Sequence, residues 1–346
     1  MPIPESLERR LRLPVVAAPM FLISGPALVT ACCRAGIVGT FPALNARSTA
    51  IYGDWLEEIA QAVGDSDTPP GETAAPAPDA SPPGAARPDA TDQRPAPFGV
   101  NLVVHRSNPR LAADLEMTVA HRVPLVITSL GAAREVVEAV HAYGGLVFHD
   151  VISLRHAEKA AEAGVDGIIA VAAGAGGHAG TLSPFALVQE IRGIFAGTIL
   201  LGGAIGTGAQ VAAARAMGAD LAYMGSRFIA TRESLASPAQ KEMMLAARAG
   251  DIVYTPAISG VAANFLRPSI AAAGLDPDNL PPHGGLDMAG EARAWKNIWS
   301  AGHGVGAIRD LPGAGALCAR LAVEYREAAA RLAADRFVTA TGERMA

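Results

Sequence analysis

Short apolar runs alternate with longer helical patterns along most of the chain. Each run is rich in Val, Ile and Leu and lacks the two-residue alternation of a strand with one solvent-facing side. Such runs indicate strands that are buried on both faces, as in a parallel sheet. They predict eight strands, at residues 15–18, 37–41, 98–104, 125–128, 146–149, 167–171, 198–201 and 221–224.

The segments between these runs predict helices. Residues 154–163 and 209–217 are amphipathic, and each segment is followed by a glycine, Gly164 or Gly218, just before the next strand. A glycine at that place is typical of the left-handed residue that ends a helix. Eight strands with intervening helices favour an α/β fold of the (β/α)8 TIM-barrel type, with an open, doubly wound sheet as the alternative.

Two segments depart from this pattern. Residues 64–97 contain no Leu, Ile, Val or aromatic residue, so they cannot bury enough apolar surface to offset the entropy of ordering them. We expect a disordered Pro/Ala-rich surface insertion, and a linker between two domains is the alternative.

Residues 231–301 combine helical pieces with Pro-rich turns and predict a small helical lid that contacts substrate. Residues 1–230 and 302–346 then form the barrel, closed by an amphipathic helix at 313–335.

Charge and cysteine content narrow the function classes. The chain has 28 Lys and Arg against 33 Asp and Glu, a formal charge of −5, which argues against nucleic acid or an anionic membrane as the main partner. Its three cysteines have neither a disulfide framework nor the spacing of a zinc site. The uncharged stretch at 195–214 is interrupted by five glycines, and the first residues lack the apolar core of a signal peptide. We therefore expect a cytoplasmic protein without a metal site.

Glycines follow the seventh and eighth predicted strands directly. Gly202 and Gly203 come after strand seven, and Gly225 and Ser226 come after strand eight. Glycines between a strand and a helix leave backbone N–H groups pointing at an anion, and the last two loops of a barrel often bind phosphate. Either loop alone is equally consistent with a tight turn, but the two together favour a phosphate-bearing cofactor.

The loop after strand six contains a histidine among glycines. Gly174, Gly176 and Ala179 formally match a dinucleotide fingerprint, but no helix follows at once and the expected acidic residue is missing, so we reject that interpretation. His178 in this loop is a candidate acid or base, although a lone loop histidine is more often structural. His149 lies near the predicted barrel mouth and is a weaker candidate. No Gly-x-Ser-x-Gly motif indicates an esterase.

Further motifs accompany these loops along the chain. In order, the motifs are Ala18-Pro19-Met20, Phe98-Gly-Val-Asn101-Leu, Ile127-Thr-Ser129-Leu-Gly131, Ala175-Gly-Gly-His178-Ala-Gly180, Gly202-Gly203, Met224-Gly-Ser-Arg-Phe228, Ile258-Ser-Gly260 and Trp299-Ser-Ala-Gly302-His303-Gly304. Together they resemble the motifs of the nitronate monooxygenases, a family of FMN-dependent TIM barrels related to the flavin-dependent enoyl-ACP reductases. The resemblance covers nearly the whole chain except the insertion.

The resemblance implies a reaction and a role for each motif. FMN would accept an electron from an alkyl nitronate and pass it to dioxygen, yielding a carbonyl compound and nitrite. His178 would remove the α-proton of a neutral nitroalkane or orient the nitronate. The cofactor would contact Pro19, Met20, Asn101, Ser129, Gly176 and Gly177 through its ring, and Gly202, Gly203, Gly225 and Ser226 through its phosphate. Ser259, Ser300 and His303 would bind substrate.

The sequence departs from the family pattern at Gly174, where glutamate is common, and at His303, where glutamine is common. These changes leave the substrate open. An FMN-dependent NAD(P)H oxidoreductase acting on quinones or enoyl thioesters is one alternative. A barrel that binds a phosphorylated metabolite or a protein without redox chemistry is another. The expected partners are a small-molecule substrate and dioxygen, and the expected assembly is a monomer or homodimer.

Overall fold

The computed structural model describes residues 3–64, 94–131, 134–282 and 297–339. The predicted insertion at 64–97 lies almost entirely outside the described residues, as does part of the predicted lid.

Eight parallel strands form a closed barrel. They are β1 Val15–Ala17, β2 Val38–Pro42, β3 Phe98–Val103, β4 Leu125–Ser129, β5 Leu146–Val151, β6 Gly167–Val171, β8 Thr198–Gly202 and β9 Leu221–Met224, and they neighbour one another in that order. The barrel closes because β1 pairs with both β2 and β9. Every apolar run singled out in the sequence is one of these strands, so the predicted TIM barrel is confirmed and the open sheet is wrong.

Helices follow the strands around the outside of the barrel. The described helices are α1 Glu5–Glu8, α2 Pro26–Arg34, α3 Thr49–Gly64, α4 Leu111–Ala120, α5 Arg134–His141, α6 Leu154–Ala163, α7 Pro184–Ile194, α8 Gly208–Ala216, α9 Ser226–Ile229, α10 Pro238–Ala246, α11 Arg267–Ala272, α12 Ala314–Ala333 and α13 Arg336–Thr339, with short 3-10 helices at Ala43–Asn45, Ala249–Asp251 and His303–Ala307. Helix α12 packs against α8 and α2, which confirms the predicted helix that closes the ring. No helix in the described ranges is both long enough and apolar enough to cross a bilayer.

Local signals set the helix ends. Helix α6 begins where the Ser153 side chain accepts a hydrogen bond from His156 N, and it ends at Gly164 with φ +87°. Helix α8 begins with a capping box between Thr207 and Gln210, which satisfies backbone donors that the first turn leaves unpaired. Both helices therefore lie where the amphipathic patterns place them.

The core has two layers. Outward-facing strand residues such as Val126 and Ile168 pack with the helices in one large buried cluster. The alternate residues, among them Ile127, Phe148 and Ile169, form a second cluster inside the barrel. Because the strands are buried on both faces, their sequences are continuous apolar runs. The barrel interior is filled by side chains, so a site is expected at the carboxyl ends of the strands.

The segment after β9 contains strands as well as the predicted helices. Strands β10 Ile252–Thr255 and β11 Ala263–Leu266 are antiparallel, and β11 also pairs with the two-residue strand β7, Gly177–His178. The sequence predicted helical pieces and turns here but no strands. Strands this short are stabilised by pairing with a distant segment, so they leave no local pattern that would indicate them. We call β7, β10 and β11 the lid sheet.

Candidate active site

A cavity of about 1410 Å³ opens at the carboxyl ends of the barrel strands. Loops from most of the strands and parts of the 231–301 segment contribute to its wall. Most of the residues predicted to bind cofactor or substrate line it together: Pro19, Met20, Asn101, Ser129, Gly176, Gly177, His178, Gly202, Gly203, Gly225, Ser226 and Ser300.

His178 is held in the cavity wall by the lid sheet. It is half-buried and lies opposite Ala263 of β11. The preceding residue, Gly177, has φ +71°, a backbone conformation that suits glycine. On the other side of His178, the Tyr254 hydroxyl donates to Ala179 O at 3.1 Å. The histidine therefore sits on paired backbone rather than on a free loop.

Ser300 joins the His178 strand to its neighbour. Its hydroxyl accepts a hydrogen bond from Gly177 N at 2.7 Å and donates to Asn264 O at 2.6 Å. Asn264 in turn donates from Nδ2 to Ala175 O at 2.6 Å. Ser300 lines the cavity as predicted, but these bonds engage its hydroxyl with the backbone that carries His178. Its role in binding substrate stays a prediction.

Ser259 and His303 do not line the cavity. Ser259 is buried and its hydroxyl donates to Val261 O at 2.9 Å, within its own turn. His303 is exposed, and its backbone N donates to Gly174 O at 2.9 Å. A Cβ built on Gly174 would lie 3.0 Å from His303 Nδ1. The two departures from the family pattern are therefore neighbours: Gly174 lines the cavity, and His303 lies just outside its wall.

Three polar side chains form a hydrogen-bonded chain at the floor of the cavity. Asn101 on β3 donates from Nδ2 to Ser129 Oγ at 2.7 Å and to Ile127 O at 3.2 Å. Ser129 at the end of β4 donates to Asp150 Oδ2 at 2.5 Å. All three residues line the cavity, and they come from three neighbouring strands.

Asp150 was not assigned a role from the sequence. Burial raises the pKa of its carboxyl, while the neighbouring His149 acts in the opposite direction. Burial lowers the pKa of His149, whose Nδ1 lies 2.8 Å from Thr128 Oγ1. Burial, together with the Asp150 charge, raises the pKa of Tyr223 well above its ordinary range. Shifted groups of this kind cluster at functional sites.

The two glycine loops fit an anion. Gly203 has φ +146°, and a Cβ there would lie 3.0 Å from Ala173 O, so the position requires glycine. Gly225 precedes helix α9, whose first hydrogen bond runs from Phe228 N to Gly225 O at 2.8 Å. The amides of Ser226 and Arg227 come before that bond and have no acceptor within the helix. Among the described residues, no group of three or more His, Cys, Asp or Glu side chains is placed to hold a metal.

The chain is therefore a (β/α)8 barrel protein with a large cavity at the carboxyl ends of its strands. The model of the nitronate monooxygenase family matches residues 8–275, so the chain belongs to that family. The resemblance found in the motifs is confirmed.

Individual relatives agree with this assignment. A nitronate monooxygenase of Pseudomonas aeruginosa is 29% identical over 345 residues, which cover 87% of this chain and 93% of the relative. The putative monooxygenase Rv1533 of Mycobacterium tuberculosis is 34% identical over 172 residues, or 49% of this chain. That match spans about half of the relative, 46% of its length. A nitroalkane oxidase structure from Streptomyces ansochromogenes is 25% identical, with a TM-score of 0.72, and covers 95% of this chain and 100% of its own.

Proposed function

We propose that the protein is an FMN-dependent enzyme that oxidises alkyl nitronates and nitroalkanes with dioxygen to a carbonyl compound and nitrite. The observation that carries this proposal is that His178 and both glycine loops share one cavity wall in a chain of the nitronate monooxygenase family. The names of the Pseudomonas aeruginosa and Streptomyces ansochromogenes relatives, a nitronate monooxygenase and a nitroalkane oxidase, agree with this substrate class.

The cavity suits a cofactor and a substrate together. A drug-sized ligand occupies a cavity of roughly 300–1,000 Å³, and this one measures about 1410 Å³. A Cβ on Gly225 would meet Met20 Sδ at 3.7 Å and Ala18 Cβ at 3.8 Å. The glycine is thus not required by packing, and its missing side chain leaves room in the cavity where a phosphate would sit.

The chain offers a distinct contact to each part of FMN. Gly202, Gly203, Gly225 and Ser226 would hold the phosphate, and Pro19 and Met20 would pack against the ring. Asn101 has both Nδ2 hydrogens engaged by Ile127 O and Ser129 Oγ, so its Oδ1 remains to accept an N–H group. When bound, FMN supplies the redox chemistry that links nitronate oxidation to dioxygen.

His178 handles the proton. It takes the proton from the carbon next to the nitro group when the substrate is a neutral nitroalkane, and it orients the nitro oxygens when the substrate is already ionised. The lid sheet fixes the backbone that carries the imidazole, and Tyr254 of this sheet lines the cavity. A positioned base of this kind contributes on the order of 10²–10⁴-fold to the rate.

The test compares His178→Ala with the wild type on both forms of the substrate. We expect a loss on the order of 10²–10⁴-fold with neutral nitroalkane and a smaller loss with nitronate, while bound FMN is retained. His121→Ala, at the end of α4 and outside the cavity, is the control for loss of a histidine. Full activity of His178→Ala on the nitroalkane would contradict the role of the base.

A further inference from the structure

Two leucines at the mouth of the cavity have left-handed backbone conformations. Leu22 and Leu130 both have φ 60°, a region that is unfavourable for a residue with a Cβ. Both are apolar, yet 39% of Leu22 and 36% of Leu130 is exposed. Strained positions of this kind persist only where the surrounding structure enforces them, and they cluster at ligand sites.

Asn45 enforces the conformation of Leu22. Its Oδ1 accepts a hydrogen bond from Leu22 N at 2.8 Å. Its Nδ2 donates to Met20 O at 3.0 Å and to Ser24 O at 2.8 Å. One side chain therefore fixes the turn on both sides of Leu22, and the turn follows β1 directly.

The Asn101–Ser129–Asp150 chain enforces the conformation of Leu130. The Ser129 side chain is bonded to both of its partners, and Ser129 O accepts from Val104 N at 2.8 Å. On the other side, a Cβ at Gly131 would lie 2.6 Å from Val104 O, so the backbone there packs closely. Leu130 is held between two fixed neighbours.

Both leucine side chains line the same cavity as His178. They belong to the loops after β1 and β4, and His178 belongs to the loop after β6, so the three residues are spread around the mouth. The wall near the mouth has further partly exposed apolar side chains, namely Ile152, Leu235 and Tyr254. The mouth therefore presents apolar surface in the same cavity as the imidazole.

We propose that Leu22 and Leu130 are specificity-determining residues that bind the apolar chain of the substrate. The substrate class is then a nitronate with an alkyl chain of several carbons rather than one of the smallest nitronates. This inference rests on the proposed function. It explains why two leucines occupy conformations that glycine adopts freely: the strain places apolar side chains in the cavity wall.

The first experiment measures kcat/KM of the holoenzyme for primary alkyl nitronates from ethyl to octyl. Burial of each methylene against the leucines should raise kcat/KM roughly three- to fourfold in the wild type. In Leu22→Gly and Leu130→Gly we expect at least half of this dependence on chain length to disappear. Leu182→Ala, an equally exposed leucine outside the cavity wall, should keep the wild-type dependence.

Thermal unfolding shows whether the glycine variants remain folded. At φ 60° glycine avoids the Cβ clash that alanine retains, so Leu22→Gly should melt above Leu22→Ala. Leu182 lies outside the left-handed region, so there Leu182→Ala should melt above Leu182→Gly. Equal chain-length dependence in the wild type and in folded glycine variants would overturn the inference.

Calorimetric titration with linear carboxylates from propanoate to octanoate separates this inference from the proposed function. A carboxylate shares the planar anionic head of a nitronate and is not oxidised. In one outcome the enzyme does not turn nitronates over, carboxylate affinity rises with chain length in the wild type, and this rise is smaller in Leu22→Gly and Leu130→Gly. That outcome supports the specificity site and contradicts the proposed function. If nitronates are turned over without any dependence on chain length, the specificity site fails and the proposed function stands.

Discussion

Ser129 donates to Asp150 Oδ2 at 2.5 Å while its oxygen accepts from Asn101 Nδ2 at 2.7 Å. The second bond of Asn101, to Ile127 O at 3.2 Å, fixes the orientation of the amide because a carbonyl oxygen only accepts. The direction of every hydrogen in the chain follows from these three bonds. Asn101 therefore presents its Oδ1 to the cavity as an acceptor.

Asp150→Asn should change how stability depends on pH. Burial raises the pKa of Asp150 in the folded protein, so the folded state binds its proton more tightly than the unfolded state does. The stability from this group is complete below the ordinary Asp pKa of about 3.9 and is lost as pH rises through the raised value. The Tm of the wild type minus that of Asp150→Asn, measured in thermal melts, should therefore fall as pH rises above about 4. A difference that rises with pH would show that the carboxylate is stabilised in the fold.

Gly225→Ala should weaken FMN binding without unfolding the barrel. The new methyl group meets only ordinary contacts with Met20 and Ala18, and the backbone φ of −104° suits alanine. The methyl group would occupy the space assigned to the phosphate, so we expect the FMN Kd to rise on the order of tenfold, about 1.4 kcal/mol. Fluorescence titration of the apoprotein measures this.

Gly315→Ala is the matched control, since a Cβ at Gly315 meets no atom within 4 Å and lies in helix α12. It should keep FMN affinity and gain stability from the better helix propensity. Unchanged affinity in Gly225→Ala would place the phosphate elsewhere.

Ser300→Ala should lower both stability and turnover. It removes the acceptor of Gly177 N and the donor to Asn264 O, which together hold the strand that carries His178. Leaving such a group without its partner costs about 1–3 kcal/mol. Urea unfolding and kcat/KM measure the two effects.

Ser234→Ala also removes a buried hydroxyl, which donates to Ile229 O at 2.6 Å. Ser234 itself does not line the cavity. It should lose stability and keep kcat/KM. If Ser300→Ala likewise loses only stability, the serine does not position His178.

The barrel could be predicted from the sequence because its strands are buried on both faces, which leaves a pattern within each strand. The lid sheet leaves no such pattern. Strand β7 has two residues, and it pairs with β11, more than 80 positions later in the chain. No local propensity encodes a contact between such short segments.

The candidate site was predictable only in part. His178 and the glycines stand out because their residue types are unusual where strands end. Asp150 could have been found from register, since Thr128 pairs with His149 and the next residues, Ser129 and Asp150, then adjoin. Ser259 could not be excluded as a lining residue, because the direction of its hydroxyl depends on its own turn. The left-handed conformations of Leu22 and Leu130 could not be predicted either, because the residue type does not determine φ.

The anaerobic absorption spectrum tests the central claim most directly. The purified protein, supplied with FMN, receives propyl nitronate and, in a separate sample, NADH or NADPH. We predict a flavin spectrum that nitronate bleaches and that neither nicotinamide changes. Bleaching by NADH or NADPH and not by nitronate, or a protein that stays colourless after incubation with FMN, would contradict the proposed function.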